Sequence, residues 1–140
     1  MKKYLPDSDI CISYLKGRFR LNEKIKKVGR KNCYVSEITI AELTYGAEKS
    51  DDHAKHFPEV ERIIDRFQVL PIYENIPTFA KEKVRLQKAG TLIPDFDLLI
   101  GSTAIAQNLI LVTNNKKHLR RLENLEIENW RKKEFNEFLN

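Results

Sequence analysis

One stretch of the chain restricts its possible folds more than any other. From Asp97 to Ile110 the first residue carries the only charge, and apolar residues occupy almost every side of the helix that the pattern predicts. A helix that is apolar all round must be buried. It leads directly into the apolar run 109–113, which is typical of a buried strand. A buried helix next to a buried strand requires a layered core, and 140 residues are enough to build one.

Short apolar runs and longer helical patterns alternate along the chain. Strands are predicted at 4–6, 32–36, 69–72, 109–113 and 125–127. Helices are predicted at 12–16, 21–28, 38–49, 59–67, 79–88 and 94–108. The alternation predicts βαβ units and therefore an α/β fold, in which helices cover both faces of a mostly parallel sheet. No linker or repeat divides the chain, so residues 1–140 are expected to form a single domain.

Polar residues follow two of the predicted strands. Strand 4–6 runs into Asp7-Ser8-Asp9, and strand 109–113 ends at Thr113-Asn114-Asn115. In open α/β sheets ligands bind beyond the carboxyl ends of the strands. This edge of the sheet is therefore the expected position of the chemistry.

Three acidic residues occupy positions where acids are unusual. Glu42 shares a helix face with Ile38 and other apolar residues, and Asp97 begins the apolar segment described above. Asp97 could instead be a helix cap, although Asp95 is also available for that role. A buried carboxylate is costly unless it is paired or metal-bound. If Asp7, Glu42 and Asp97 converge, their oxygen ligands suit Mg²⁺, with Mn²⁺ as a possible substitute.

The charge distribution points to a phosphate-rich partner. The net charge is +5, and seven basic residues lie between Arg18 and Lys31 against one acid. Basic clusters of this kind suit a nucleic-acid backbone, although each could also be an ordinary solvated surface. The candidate RNA-binding residues are Arg18, Arg20, Lys116, Lys117, Arg120 and Arg121.

Compartment and redox state follow from simpler features. No run approaches the roughly 20 apolar residues of a membrane span. The charged start Met1-Lys2-Lys3 is unlike a secretory signal, so a cytoplasmic location without a membrane partner is expected. Cys11 and Cys33 lie among apolar neighbours without metal-site spacing, which predicts two reduced core thiols.

The order of these segments resembles a known family, the PIN-domain nucleases. Asp7-Ser8-Asp9 is similar to the opening motif of that family. The segments 36–47 and 95–101 resemble the second and third motifs of its VapC toxins. The segments Leu111–Asn115 and Ile127–Trp130 complete the order, so that the resemblance spans about residues 4–130.

The resemblance implies a three-layer α/β/α sandwich and a magnesium-dependent endoribonuclease. It implies that Asp7, Glu42 and Asp97 are catalytic and bind the metal, with Thr113 and Asn115 as the polar fourth corner of the site. It also implies a homodimer and a VapB-like antitoxin in a type II toxin–antitoxin pair. Members with a Thr-Asn-Asn corner and a late Asn-Trp resemble those that cut initiator tRNA in its anticodon stem-loop and so inhibit translation. Other members cut other tRNAs or ribosomal RNA.

The chain departs from the family pattern at three positions. Pro6 stands where an aliphatic residue is usual and removes a backbone N–H from the strand. Asp9 replaces the common Asn, and Asn115 stands where many members have Asp. These departures therefore favour one bound metal ion over two.

Two other functions stay open at this point. Asp7-Ser8-Asp9 after a strand also resembles the start of haloacid-dehalogenase-type phosphatases, although no acidic pair follows the last core strand. A non-catalytic RNA-binding module of PIN fold would bind RNA without metal-dependent turnover. For the antitoxin, the helix with Tyr14, Leu15 and Phe19 predicts an apolar docking groove beside basic residues.

Overall fold

The computed structural model describes residues 1–131, so residues 132–140 of the predicted single domain lie outside the described residues. The strands are β1 Tyr4–Pro6, β2 Tyr34–Ser36, β3 Gln68–Leu70, β4 Ile110–Val112 and β5 Ile127–Glu128. The helices are α1 Ser8–Leu15, α2 Leu21–Val28, α3 Glu37–Lys49, α4 His53–Arg66, α5 Ile76–Lys88, α6 Asp95–Gln107 and α7 Lys116–Leu119. Short 3₁₀ turns occupy Arg30–Asn32 and Tyr73–Asn75. Within this part of the chain, no helix has both the length and the apolarity needed to cross a bilayer.

The strands pair in parallel, as predicted. β1 pairs with β4, and β4 pairs with β5, while β2 pairs with β3. A bridge between Tyr4 and Cys33 connects the two groups, which gives the order β3-β2-β1-β4-β5. The amino-terminal strand β1 is therefore central, and the order reverses beside it. Such a switch point is where α/β sheets bind their ligands.

Pro6 explains why β1 and β2 share a single bridge. The carbonyl of Lys3 and the amide of Asp7 both bond to β4, so the odd-numbered residues of this strand turn their polar backbone groups toward β4. Pro6 then faces β2, where it has no N–H to donate. Its pairing with Val112 in β4 is kept. The unusual proline therefore weakens only the β2 side of the central strand.

Two hydrophobic clusters fill the two faces of the sheet. Tyr4, Ile110 and Val112 belong to the cluster under α1 to α4, whereas Leu5 and Leu111 belong to the cluster under α5, α6 and α7. Successive strand residues point to opposite faces, which is why neighbours separate in this way. The result is the predicted three-layer α/β/α sandwich.

Several element boundaries differ from the sequence predictions. α1 contains most of the predicted segment 12–16 and begins earlier, at Ser8, because the Asp7 side chain caps its amino terminus. α4 begins at His53 and contains Pro58, whereas the sequence placed its start after that proline. The Asp52 side chain accepts from the Lys55 amide at 3.1 Å and so caps the helix ahead of Pro58.

Gly101 brings the buried helix α6 against the α7 region. A Cβ atom at this position would clash with the Leu122 side chain and lie 3.3 Å from Leu119 Cδ2. Both leucines are at most 5% exposed and have little room to move. The absence of a side chain at Gly101 therefore lets α6 pack closely against Leu119 and Leu122.

We expect Gly101→Ala to lower the free energy of unfolding by about 1–2 kcal/mol, because overpacking outweighs the better helix propensity of alanine. The matched control is Gly46→Ala in α3, where an added Cβ would meet nothing within 4 Å. That variant should gain about 0.5–1 kcal/mol. Urea denaturation of both variants measures the difference. A Gly101→Ala protein as stable as wild type would contradict the packing described here.

Candidate active site

The ends of β1 and β4 bring Asp7 and Thr113 into contact. The Asp7 amide donates to the Val112 carbonyl at 2.9 Å, which sets the two strand ends side by side. Thr113 Oγ1 donates a short hydrogen bond to Asp7 Oδ2. Asp7 Oδ1 accepts from the Ile10 amide at 3.1 Å and so caps α1. Both carboxylate oxygens of Asp7 are thereby oriented.

Asp97 is linked to the same strand end through Asn115. The Asn115 amide donates to Thr113 Oγ1 at 2.9 Å, and its side-chain Nδ2 donates to Asp97 Oδ2 at 3.3 Å. His118 Nδ1 lies 3.6 Å from the same Asp97 oxygen. α6 has no side-chain cap, and Asp95 pairs with Lys83 instead. The cap role considered for Asp97 is therefore not the role that its contacts show.

Electrostatics couple the two aspartates. Burial raises the pKa of Asp7 from its ordinary 3.8 to about 6, and the hydrogen bonds from Thr113 and Ile10 offset part of that increase. The negative charges of Asp9 and Asp97 make smaller contributions to the same increase. The site thus holds a buried carboxylate close to two other negative charges. An added cation would relieve this repulsion.

Glu42 reaches the site through a serine. Ser8 Oγ donates to Glu42 Oε1 at 2.6 Å and lies 3.3 Å from Thr39 Oγ1. Ser8 follows Asp7 directly, so that α3 is connected to the carboxyl end of β1. Within residues 1–131 no three acidic, histidine or cysteine side chains are already grouped around a metal position. Asp7 and Asp97 are joined through Thr113 and Asn115, whereas Glu42 is joined to this end of β1 through Ser8.

The donor set nevertheless fits a hard divalent cation. The available groups are the carboxylate oxygens of Asp7, Asp97 and Glu42 together with hydroxyl and amide oxygens, and such ligands favour Mg²⁺-like ions over softer metals. The negative charges of Asp9 and Asp97 beside the buried Asp7 carboxylate are the structural sign of this fit, because a cation would offset their repulsion.

The predicted RNA-binding residues lie in two places. Lys116 and Lys117 open α7 directly after Asn115, and Arg120 is exposed at the end of that helix. Arg18 and Arg20 are exposed in the turn between α1 and α2. Arg121 differs, because its guanidinium donates to the Leu92 carbonyl at 3.1 Å and to the Thr91 carbonyl at 3.4 Å. Its position is fixed by the fold, which the sequence did not indicate.

Both aromatic residues expected in the docking groove contact other residues of the chain. Tyr14 packs edge-on against Phe67 at 5.6 Å and accepts from Arg66 at 2.7 Å. Phe19 lies under the Arg131 guanidinium at 4.9 Å. Of the three predicted groove residues, only Leu15 lines the large cavity described below. Tyr14 and Phe19 therefore have contacts within the chain, and docking of the antitoxin at this helix stays a prediction.

Sequence reasoning missed two neighbours of the acids. Ser8 directly follows Asp7 in the sequence, and His118 stands three residues after Asn115 in the basic segment 116–121. Asn129 contacts the segment that follows β4, and Trp130 contacts β1. Asn129 Nδ2 donates to Asn114 Oδ1 at 2.9 Å, and the Trp130 ring packs 5.1 Å from Tyr4.

The two cysteines take no part in the site. Both are free and buried, as predicted. Burial raises the pKa of the Cys33 thiol to about 12 and raises that of Cys11 further. Neither thiol is therefore a nucleophile near neutral pH.

Comparison with known proteins agrees with this geometry. The family model described as the PIN domain matches residues 4–125. The chain is 36% identical over 132 residues to ribonuclease VapC2 of Haemophilus influenzae, covering 93% of this chain and 99% of that protein. It is 32% identical over 133 residues to the tRNA(fMet)-specific endonuclease VapC of Salmonella typhimurium, covering 93% of this chain and 99% of that protein.

A solved structure is also similar to this chain in sequence and fold. The DNA-bound VapBC structure from Salmonella typhimurium contains a chain that is 30% identical to this one, with a TM-score of 0.86 and coverage of 93% of this chain and 99% of that chain. The family match covers most of the chain, and relatives above 30% identity cover nearly all of it. The chain therefore belongs to the VapC ribonucleases of the PIN-domain family.

Proposed function

We propose that this chain is a magnesium-dependent endoribonuclease whose site is formed by Asp7, Glu42, Asp97, Thr113 and Asn115. The observation that carries the proposal is the continuous hydrogen-bonded path from Asp7 through Thr113 and Asn115 to Asp97. It holds two buried or half-buried carboxylates at the switch point of a parallel sheet, and their charges repel. Such a pair favours the binding of a cation, and a bound cation favours the binding of a phosphodiester.

The chain's own residues supply orientation and charge. Asp7, Asp97 and Glu42 would hold a Mg²⁺ or Mn²⁺ ion, which, when bound, stabilises charge on the phosphate and lowers the pKa of water. Thr113 and the Ile10 amide fix the two oxygens of Asp7. Asn115 holds Asp97, and Ser8 holds Glu42. Water rather than the 2′-hydroxyl would then attack the phosphorus and lose a proton. The P–O3′ bond breaks, and O3′ takes up a proton, so that the products are a 3′-hydroxyl and a 5′-phosphate.

The substrate that we infer is tRNA, with the initiator tRNA anticodon stem-loop preferred. Support comes from the relatives in Salmonella typhimurium and Shigella flexneri that are named for tRNA(fMet). The residues Thr113-Asn114-Asn115 and Asn129-Trp130, which motivated this preference, meet through the bond between Asn114 and Asn129. Cutting this tRNA would inhibit translation, which makes the chain the toxin of its pair.

We also infer a VapB-like antitoxin as partner, acting in the cytoplasm. The support is a groove of about 780 Å³ beside the acids. This helix groove lies between α1, α3 and α4, and among its lining residues are Ile12, Leu15, Glu42, Tyr45, Val60 and Phe96. An amphipathic antitoxin helix laid there would cover Glu42. The homodimer stays a prediction, which light scattering of the purified chain would test.

The decisive experiment is cleavage of purified initiator tRNA with and without a divalent cation. We expect a cut in the anticodon stem-loop in Mg²⁺ or Mn²⁺, a 5′-phosphate at the new end, and no cut in excess EDTA. Elongator tRNA and ribosomal RNA serve as competing substrates. Full cleavage in EDTA, or a 2′,3′-cyclic phosphate product, would overturn the mechanism.

The same experiment separates the alternative functions. An RNA-binding module without catalysis would retain tRNA in a filter-binding assay but leave it intact in Mg²⁺. A haloacid-dehalogenase-type phosphatase would release inorganic phosphate from a monoester and form an aspartyl phosphate on Asp7.

A further inference from the structure

Two exposed aromatic side chains stand beside the acidic site. Phe96 immediately precedes Asp97 in α6 and is 49% exposed, although the residues that follow it are largely buried. Tyr45 follows Glu42 by three residues in α3 and is 67% exposed. Both line the helix groove together with Glu42 and Ser8. The groove therefore joins two aromatic surfaces to the residues of the site.

Packing does not account for these two side chains. Neither belongs to the two hydrophobic clusters that fill the core of residues 1–131. An exposed phenylalanine loses the favourable free energy of burial. Its exposure beside the site therefore favours a role in binding. The positions are specific as well, since each aromatic residue lies within one helical turn of a carboxylate of the site.

We propose that Phe96 and Tyr45 stack on unpaired bases of the RNA next to the phosphate that is cut, which rests on the proposed function. Two consecutive loop nucleotides place an unpaired base on each side of the phosphate that joins them. Surfaces that bind single strands stack aromatic side chains on such bases. Lys16 and Lys55 line the same groove and supply charge for the flanking phosphates. Stacking would select unpaired RNA over a duplex, whose bases are already stacked.

The proposal has a spectroscopic test. The chain has one tryptophan, Trp130, which is 6% exposed. In Phe96→Trp, an oligoribonucleotide with the anticodon-loop sequence should quench the new exposed indole. The matched control is Tyr73→Trp. Its 3₁₀ turn is bonded to the carboxyl-terminal half of α6, through Asn75 to Thr103 and Gln107, away from Phe96. An indole there should not be quenched.

Binding and kinetics give a second readout. In EDTA, where cleavage should be absent, Phe96→Ala and Tyr45→Ala should each weaken binding of the single-stranded oligoribonucleotide about 5- to 150-fold. Phe96→Tyr should restore most of the loss, and Tyr73→Ala should bind as wild type does. In Mg²⁺ the alanine variants should raise KM more than they lower kcat, because stacking binds the ground state and the transition state alike.

The results distinguish a failure of the proposed function from a failure of the stacking proposal. If wild type neither binds nor cuts RNA, both the proposed function and the stacking proposal fail. If wild type cuts RNA while Phe96→Ala and Tyr45→Ala bind it unchanged and Phe96→Trp shows no quenching, only the stacking proposal is overturned. Weaker binding of the antitoxin by those same variants would then assign the two aromatic residues to the protein partner. Circular dichroism checks that every variant is folded.

Discussion

Replacing Asp97 with asparagine is expected to reduce RNA cleavage about a thousandfold while RNA binding is kept or improved. Asparagine preserves the shape of the side chain, but it removes a negative charge and a carboxylate oxygen from the proposed metal site. Asp97 is half-buried and is held by Asn115 at 3.3 Å, so the variant changes the charge at a fixed position. Losing several kcal/mol of transition-state stabilisation gives the expected size.

Binding should respond in the opposite direction. Asp97 repels the RNA backbone in the absence of a cation, and its removal leaves the basic residues untouched. The contrasting variant is Arg120→Ala, since Arg120 is exposed at the end of α7. It should weaken binding and lower the salt dependence of affinity by about 0.7 log units per log salt, the contribution of one phosphate contact to a single strand. Glu42→Gln should behave like Asp97→Asn.

Single-turnover cleavage in Mg²⁺ and equilibrium binding across a salt series measure both effects. A folded Asp97→Asn protein that cuts tRNA at nearly the wild-type rate would remove Asp97 from the site. The bond to Asn115 would then be structural only.

The sequence could predict where the candidate site residues meet, because that position depends on local patterns and on one topological rule. β1 has the predicted bounds, and parallel strands bring their carboxyl ends to one edge, which is why Asp7 and Thr113 meet. Asp97 stands out in the sequence because a charge in an apolar helix is costly. Both inferences rest on backbone direction and burial, which hydrophobic patterns encode directly.

Side-chain partners could not be predicted in the same way. Arg121 bonds to the carbonyls of Thr91 and Leu92, which are about thirty residues away in the chain and adjacent only after folding. The sequence does not show that Tyr14 contacts Phe67 or that Phe19 contacts Arg131. The rotation of each helix against the sheet decides such contacts, and the sequence pattern fixes that rotation only approximately.

A second large effect is expected at Asp7, where asparagine should stabilise the protein in EDTA at neutral pH. The pKa of Asp7 is raised by burial from 3.8 to about 6, so its charged form is disfavoured in the folded state. The stability that the protonated group contributes is complete below pH 4 and is lost as the pH rises through 6. Above pH 7 the loss reaches about 3 kcal/mol at most, since each pKa unit corresponds to 1.36 kcal/mol.

Asp7→Asn removes this charge and keeps the helix cap, because asparagine caps helices about as well as aspartate. Its Oδ1 can still accept from the Ile10 amide, while Thr113 must reorient its hydroxyl to face the new amide group. We therefore expect the variant to exceed wild type by about 1–3 kcal/mol at pH 7.5 and to match it near pH 4. The control Asp65→Asn, on the exposed face of α4, should show no such trend.

Adding Mg²⁺ should reverse the order of the two proteins. Wild type gains stability from an ion that binds only the folded state, whereas Asp7→Asn has lost a ligand and gains less. Urea denaturation at several pH values, in EDTA and in Mg²⁺, tests both halves of the prediction. If wild type and Asp7→Asn were equally stable in EDTA across pH 4–7.5, the charge at Asp7 would not strain the fold. If Mg²⁺ failed to favour wild type, a metal held by Asp7 would be excluded, because a ligand that binds the folded state must stabilise it.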